Sequence, residues 1–170
     1  MNGSRRILII FLVMIACVGC DQAAKRYATR TLANQPAVSI VGEVFRLQYT
    51  ENTGAMMGVG GNLSTSLRFW IFVVFAGCAL VGILAYTLLG KNLRTADIVS
   101  FSLIIGGGAG NLIDRLFKGG VVIDFMILSL GSLKTAIFNL ADAAVMCGLL
   151  LLAISNLPWF SGRAQQQSKG

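Results

Sequence analysis

The chain has 170 residues, about the length of one domain, and its composition is that of a membrane protein. Hydrophobic residues make up 55% of the chain and charged residues 12%, against about 25% charged residues in an average soluble domain. Together with a mean hydropathy of +0.74, this composition excludes a disordered chain. The net charge of +7 fits cationic loops beside anionic lipids, so we expect membrane lipids and no nucleic acid as partners.

The absence of histidine restricts the chemistry available to the chain. It excludes Ser-His-Asp and Cys-His catalysis and the HExxH zinc proteases. The cysteines lie in apolar stretches, without the spacing of a disulfide framework or a metal site. We expect them to be small core residues: Cys17, Cys20, Cys78 and Cys147.

Long apolar stretches predict four transmembrane helices. They run from Ile7 to Cys20, from Phe69 to Gly90, from Ile98 to Ile113 and from Ala136 to Leu157. A helix needs about 20 residues to span the hydrocarbon, so the first and third stretches must continue into flanking polar residues. Asp21 and Lys25 are four residues apart and would share one face of such a continuation.

The positions of lysine and arginine predict the orientation in the membrane. With four spans, both termini lie on one side, and the basic pairs in the short segments would face the cytoplasm. These pairs are Arg5/Arg6, Lys91/Arg94 and Arg163/Lys169. Segments 21–68 and 114–135 would then face outward.

The long outer segment contains a strand pattern. Residues 38–49 are rich in β-branched and aromatic side chains, which predicts one or two strands interrupted at Gly42. We expect a small sheet on the membrane surface. Residues 53–61 hold too many glycines to predict an element, and residues 161–170 are predicted to be a disordered tail.

The N-terminus imitates a lipoprotein signal peptide. Arg5/Arg6 precede an apolar run that ends in Val18-Gly19-Cys20, like the end of a lipobox. However, Cys17 stands where a lipobox favours Leu, and the remainder of the chain is itself hydrophobic. We therefore interpret this region as an uncleaved first transmembrane helix.

Two aspartates are candidates for catalysis. Asp142 lies six residues into the fourth apolar stretch, where a carboxylate is costly unless it is paired, hydrated or protonated; its alternative role is a structural hydrogen bond. Asp124 precedes the apolar run 126–130 and should lie near the membrane surface. Asp97, beside Thr95, is interpreted as a helix cap.

If Asp124 and Asp142 meet, they would form a carboxylate pair that shares one proton. The ionised member could deprotonate a water, while the protonated member polarises a carbonyl and later protonates the leaving nitrogen. This chemistry would hydrolyse an amide without a metal, a cofactor or a covalent intermediate. The spacing of the two residues does not by itself establish that they meet.

A glycine-rich block suggests a further polar cluster. In Gly107-Gly-Ala-Gly-Asn-Leu-Ile-Asp-Arg115, Asn111 and Asp114 lie on one helical face, and the glycines permit close approach. The simpler interpretation is helix packing with an ion pair at the helix end. The block lacks the GKS/T of a P-loop.

At these positions the sequence resembles the bacterial lipoprotein signal peptidases (signal peptidase II). The matching blocks occur in the family's order within about residues 7–157. They are Asp21-Gln-Ala-Ala-Lys25, Asn52-Thr-Gly-Ala55, Gly107-Gly-Ala-Gly-Asn-Leu-Ile-Asp-Arg115, Val121-Val-Ile-Asp-Phe125 and Phe138-Asn-Leu-Ala-Asp-Ala143. The last three blocks together are highly specific.

The resemblance implies an all-α membrane protein of four transmembrane helices with a small extracytoplasmic β-cradle and a short surface helix. Residues 1–170 would form one peptidase domain. Asp124 and Asp142 correspond to the catalytic pair of an aspartic endopeptidase. The positions around the substrate correspond to Asn52, Gly54, Asn111, Arg115 and Asn139. Asp21, Lys25 and Asp114 correspond to structural polar residues.

The resemblance also implies the substrate and location. These proteins cleave prolipoproteins before the diacylglyceryl-modified cysteine, and globomycin-type cyclic peptides inhibit them. We expect a monomer in the bacterial inner membrane, with both termini cytoplasmic and the active site near the outer face. The chain departs from the family at Met56-Met57-Gly58, where an aromatic residue is usual, which could alter substrate preference or loop mobility.

Two other functions remain open at this stage. A small transporter or proton-relay protein would use Asp142 and Arg115 as an intramembrane charge pair. An inactive, lipid-binding homologue of the peptidase is the other, although the intact aspartate pair argues against it.

Overall fold

The computed structural model describes residues 2–55, 58–131 and 133–157, which form a helical bundle with a small antiparallel sheet at one end. The helices of the described residues are α1 (Gly3–Leu32), α2 (Thr65–Phe69), α3 (Ala76–Leu89), α4 (Thr95–Phe117) and α5 (Leu140–Asn156). A π-helical segment, Trp70–Phe75, joins α2 to α3, so 65–89 is one continuous helical segment. The strands are β1 (Val38–Val41), β2 (Phe45–Asn52), β3 (Val122–Leu130) and β4 (Leu133–Lys134).

The first and third apolar stretches continue into polar sequence, as predicted from their length. Helix α1 runs through Cys20 and Asp21 to Leu32 without a break. The continuation is stable because Asp21 and Lys25 are both fully buried and form an ion pair with an N–O distance of 2.8 Å. The lipobox-like sequence therefore lies inside one long helix.

The predicted start of the fourth helix, at Ala136, is wrong. Asn139 has an extended backbone (φ −129°, ψ 178°), and α5 begins at Leu140. The Asn139 side chain accepts a hydrogen bond from the Asp142 amide, while the Asp142 side chain accepts one from the Asn139 amide, forming a capping box. Asp142 therefore lies in the first turn of α5, at the N-terminal end of the helix, and not in its interior.

Three helical segments of the described part are long and apolar enough to cross a membrane: α1, residues 65–89 and α4. Helix α5 has 17 residues and is shorter than the other three. The count of four spans stays a prediction. Every α-helix within the described ranges belongs to one of these four segments, and the short surface helix also stays a prediction.

The bundle exposes apolar side chains and buries polar ones, which is the reverse of a soluble protein. Phe11 of α1 is 59% exposed and Phe75 is 72% exposed, whereas Ser100 and Ser102 of α4 are buried. An apolar surface of this kind is satisfied by lipid. The expectation that the cysteines are core residues is wrong for Cys20, Cys78 and Cys147, which lie on this exposed surface because lipid accepts a thiol as readily as the core does.

Two arginines tie together the end of the bundle opposite the sheet. Arg6 donates to the carbonyls of Leu88 and Gly90, both at 2.9 Å. Arg94 reaches across to Asn156 Oδ1 at 3.0 Å. The basic residues that were predicted to share one side of the membrane thus lie at one end of the bundle, except Arg163 and Lys169, which are outside the described residues. Their cytoplasmic location stays a prediction.

The sheet lies at the other end, in the order β1-β2-β3-β4. Strands β1 and β2 form an antiparallel hairpin with Gly42 (φ 49°) in the turn, as the strand pattern predicted. Strand β2 then pairs with β3, so that Thr50 lies opposite Asp124 and Asn52 opposite Val122. A small core of α1 and β3 residues, which includes Ala28 and Phe125, holds the sheet against the helices. Met56, Met57 and the predicted tail 161–170 lie outside the described residues.

The glycines of α4 allow its neighbours to approach closely. A Cβ atom on Gly107 would collide with the Ala141 carbonyl oxygen of α5, and one on Gly110 would lie 2.7 Å from Asp21 Oδ2 of α1. Since the obstacles include backbone and buried ionic groups, they cannot move aside cheaply. The glycine-rich block is therefore a packing surface between α1, α4 and α5.

We expect Gly107→Ala to destabilise the protein by about 1–3 kcal/mol, because α4 and α5 must separate to admit the methyl group. Gly82→Ala in α3 is the matched control, since a Cβ there meets nothing within 4 Å. Thermal unfolding of both variants in detergent measures the effect. A Gly107→Ala variant as stable as Gly82→Ala would contradict the packing role.

Candidate active site

A cavity of about 220 Å³ lies where the sheet meets the helices. Both candidate aspartates line it, Asp124 from β3 and Asp142 from the start of α5. The other lining residues come from β2, the following loop, the helices and the β3 and β4 flanks: Asn52, Ala55, Phe72, Ala76, Asn111, Arg115, Val122 and Ile137. Residues far apart in the sequence thus converge on one chamber.

Asp124 is held by a tight turn and by two amides. Gly119 and Gly120 adopt positive φ angles (67° and 86°), which lets the chain reverse from α4 into β3. The Asp124 side chain is 2% exposed. Its Oδ2 accepts a hydrogen bond from Asn52 Nδ2 at 2.9 Å, and its Oδ1 accepts one from Asn139 Nδ2 at 2.6 Å.

Asp142 is oriented by the N-terminus of its own helix and by α4. Its Oδ2 accepts the Asn139 backbone amide at 3.2 Å, and its Oδ1 accepts Asn111 Nδ2 at 2.8 Å. These two hydrogen bonds fix the orientation of the carboxylate at the start of α5.

Asn139 connects the two carboxylates. Its amide nitrogen donates to Asp124, and its amide oxygen accepts the backbone N–H of Asp142 at 2.9 Å. The side chain is fully buried, so it cannot exchange these partners for water. A single asparagine therefore fixes the relative position of the two acids.

The pKa of Asp124 is raised from the ordinary carboxyl range to about 6. Burial is the main cause, because removal from water disfavours the charged form. The nearby charge of Asp142 raises this pKa further, while the amides of Asn52 and Asn139 lower it. Asp124 consequently holds a proton at a pH where an ordinary aspartate has lost it.

A buried ionic cluster contacts the residues that line the chamber. Lys25 Nζ lies 2.8 Å from Asp21 Oδ2 and 3.0 Å from Asp114 Oδ2, and all three side chains are buried. Lys25 also donates to Asn111 Oδ1 at 2.9 Å. Because the Asn111 oxygen accepts this bond, its NH₂ group faces Asp142. The cluster therefore orients a side chain that lines the candidate site.

The cluster also ties separate elements to one another. Asp21 Oδ1 accepts the Ala141 amide of α5 at 3.0 Å, and Asp114 Oδ2 accepts the Ile123 amide of β3 at 3.1 Å. Each aspartate thus anchors the segment that carries one of the two candidate acids. The structural role that the resemblance implies for Asp21, Lys25 and Asp114 stays a prediction.

Arg115 lines another side of the chamber and is held there by Gly54, which lies behind the lining. Arg115 donates to the Gly54 carbonyl at 2.8 Å, and its guanidinium lies 5.3 Å from the centre of the Phe72 ring. Gly54 in turn donates its amide to Asn52 Oδ1 at 2.9 Å. The charge pair between Asp142 and Arg115 that a transporter would use is not among the ion pairs of the described residues.

Sequence reasoning missed three residues near the site. Gln22 donates to Asp114 Oδ1 at 3.0 Å, and Lys118 lies 2.8 Å from the same oxygen. The four-residue spacing of Asp114 and Lys118 is a helical ion-pair signal that could have found Lys118. Phe72, under Arg115, carries no local signal because its partner is distant in the sequence.

The fold and the chamber define a multi-pass helical membrane protein with two carboxylates in one cavity at the sheet end of its bundle. The family model described as signal peptidase (SPase) II matches residues 13–157. The chain therefore belongs to the signal peptidase II family, a family of proteases.

Individual relatives agree over nearly the whole chain. A lipoprotein signal peptidase of Chlorobium phaeobacteroides is 32% identical over 155 residues, which cover 86% of this chain and 94% of the relative. One from Francisella tularensis subsp. novicida is 32% identical over 160 residues, covering 92% and 96%.

Solved structures with a similar fold agree as well. A bacterial membrane enzyme determined by the in meso method at 1.9 Å resolution superposes with a TM-score of 0.73 at 25% identity, over 91% of this chain and 94% of that chain. A second bacterial membrane enzyme, determined at 2.3 Å, gives 0.70 at 26% identity over 89% and 87%.

Proposed function

We propose that the chain is an aspartic endopeptidase that removes signal peptides from prolipoproteins. It cleaves on the N-terminal side of the diacylglyceryl-modified cysteine, with a water activated by Asp124 and Asp142. The observation that carries the proposal is the shared chamber, which both carboxylates line, with Asp124 buried, Asp142 partly buried and Asn139 joining the two. The names of the relatives supply the substrate class.

The mechanism follows from one shared proton. The ionised carboxylate takes a proton from water as the oxygen attacks the scissile carbonyl, and the protonated carboxyl donates a hydrogen bond to the carbonyl oxygen. Collapse of the tetrahedral intermediate breaks the C–N bond, and a proton from the pair passes to the leaving amine. The raised pKa of Asp124 lets this pair retain its one proton up to about pH 6, where an ordinary aspartate has lost it.

The surrounding residues would bind and orient the substrate. Asn52 and Asn139 hold Asp124, and Asn111 holds Asp142, so the acids meet the scissile bond in fixed positions. Arg115 lines the chamber, where a substrate backbone can contact it, and Gly54 holds Arg115 in place through its carbonyl. Globomycin-type cyclic peptides would occupy the same chamber.

The chamber's place in the bundle suits a lipid-modified substrate. It lies at the sheet end of the helices, so acyl chains could remain in the bilayer beside the exposed apolar surface while the peptide enters from the side. In a bacterial inner membrane this end would face outward, with both termini cytoplasmic. We propose that one chain, working as a monomer, contains the complete site.

Purified protein in detergent tests the activity directly. It is incubated with a prolipoprotein that carries the diacylglyceryl group and with the same prolipoprotein unmodified, and mass spectrometry identifies the bond that is cut. We expect cleavage before the modified cysteine only. Absence of cleavage by folded protein, beside a working relative, would favour the inactive homologue.

The pH dependence gives a second prediction. Since the Asn52 amide lowers the pKa of Asp124, we expect Asn52→Ala to raise that pKa further above about 6. The singly protonated pair then persists to higher pH, so the alkaline limb of kcat/KM moves upward. Gln48→Ala, exposed on the same strand, is the control. An unchanged or downward-shifted limb would contradict the role of Asn52.

A further inference from the structure

A second cavity, of about 460 Å³, adjoins the chamber. The two cavities share Asn52, Asp124 and Ile137 as a common wall. The remaining lining of the second cavity comes from strand and loop residues only: Thr50, Glu51, Thr53, Gly58 and Ala136. Asp124 therefore stands between a chamber with helical residues in half of its lining and a groove lined by the sheet and loops.

The two cavities differ in their lining residues, and this difference indicates which part of the substrate would lie on each side of Asp124. Phe72 and Ala76 line the chamber on the helix side, where an apolar signal sequence leaving the bilayer would lie. The groove has no helical residue in its described lining and presents threonine, asparagine and glutamate. The polar residues that follow the cleaved bond fit this side.

Glu51 gives the groove a charge. Apart from Asp124 it is the one charged residue in the described lining, and its side chain is exposed. It accepts a hydrogen bond from the Tyr49 hydroxyl at 2.9 Å, and it is absent from the ion pairs of the described residues. Glu43, on the same hairpin, differs because Arg46 lies 3.5 Å from its carboxylate.

We propose that this groove binds the residues that follow the modified cysteine, and that Glu51 is a specificity residue that disfavours an acidic residue there. The inference rests on the proposed function, and it adds where the part of the substrate after the modified cysteine binds. A like charge within several ångströms of a carboxylate weakens binding, and an opposite charge strengthens it.

The test uses modified prolipoproteins that differ only at the position after the cysteine, with Ser, Lys or Asp. For the wild type we expect a kcat/KM roughly three- to tenfold lower for the Asp substrate than for the Lys substrate, with the Ser substrate between them. Glu51→Gln should remove this difference and Glu51→Lys should reverse it. Glu43→Gln, the matched control, should keep it.

The outcomes separate this inference from the proposed function. The wild type and Glu43→Gln should both cleave the Ser substrate, and absence of cleavage by both folded proteins would overturn the peptidase activity itself. Equal cleavage of Lys and Asp substrates by the wild type would overturn the groove's selectivity alone. A preference that survives in Glu51→Gln would overturn the role of Glu51. Added salt should shrink the preference, since the groove is open to solvent.

Discussion

Asp124→Asn and Asp142→Asn are each expected to lower kcat by roughly 10³-fold or more, because an amide can neither take a proton from water nor return one to the leaving nitrogen. Asparagine keeps the shape of the side chain, and its one amide oxygen can still accept a hydrogen bond from one of the two donors that each aspartate has. The double variant should be about as slow as either single variant, since two groups that share one proton act as a unit. Single-turnover cleavage of a modified prolipoprotein measures these rates.

Measurements of the unfolding temperature distinguish a loss of catalysis from a loss of folding. An aspartate whose pKa is raised on folding favours the folded state at low pH, and this contribution is lost as the pH rises through about 6. Asp124→Asn removes the titrating group, so its unfolding temperature should fall less with rising pH than that of the wild type. Substantial turnover by either folded variant would contradict the roles of the two acids.

Lys25→Met should have the largest effect on stability, about 3–5 kcal/mol. Lys25 is fully buried between Asp21 and Asp114, and its removal leaves Asp21 without a counter-charge and Asp114 with the partly exposed Lys118 alone. It also releases Asn111, so activity should fall in whatever protein remains folded. Thermal unfolding in detergent, read beside the cleavage rate, measures both losses.

Two further variants test the cause of the loss. Lys118→Met removes another partner of Asp114, but that lysine is partly exposed, so it should cost about 1 kcal/mol or less. Converting Asp21 and Asp114 to Asn beside Lys25→Met removes the unpaired charges and should recover part of the stability. If Lys118→Met were as harmful as Lys25→Met, burial of the ion pair would not explain the effect.

Local sequence signals predicted the elements that depend on nearby residues. Apolar runs located the helices because lipid selects for them along the whole exposed surface. The β-branched pattern of residues 38–49 located the β1–β2 hairpin, with Gly42 in its turn. The spacing of Asp21 and Lys25 predicted a shared helical face, and the two residues form an ion pair there.

Features that depend on distant partners were harder to predict. The apolar run through Ala136 suggested a longer fourth helix, but Asn139 is held extended by its capping box and by Asp124. The orientation of Asn111 depends on Lys25, which is 86 residues away in the sequence. Spacing also could not show that Asp124 and Asp142 line one chamber, because a turn after α4 and a cap on α5 bring them there.

The central claim is that Asp124 and Asp142 form one proton-sharing pair, and infrared difference spectroscopy of isotope-labelled carboxyl groups tests it most directly. The account predicts a protonated carboxyl in the wild type that titrates near pH 6 and is lost in Asp124→Asn. In Asp142→Asn the same signal should titrate at lower pH, because a neighbouring negative charge has been removed. A signal that neither substitution changes would contradict the pair.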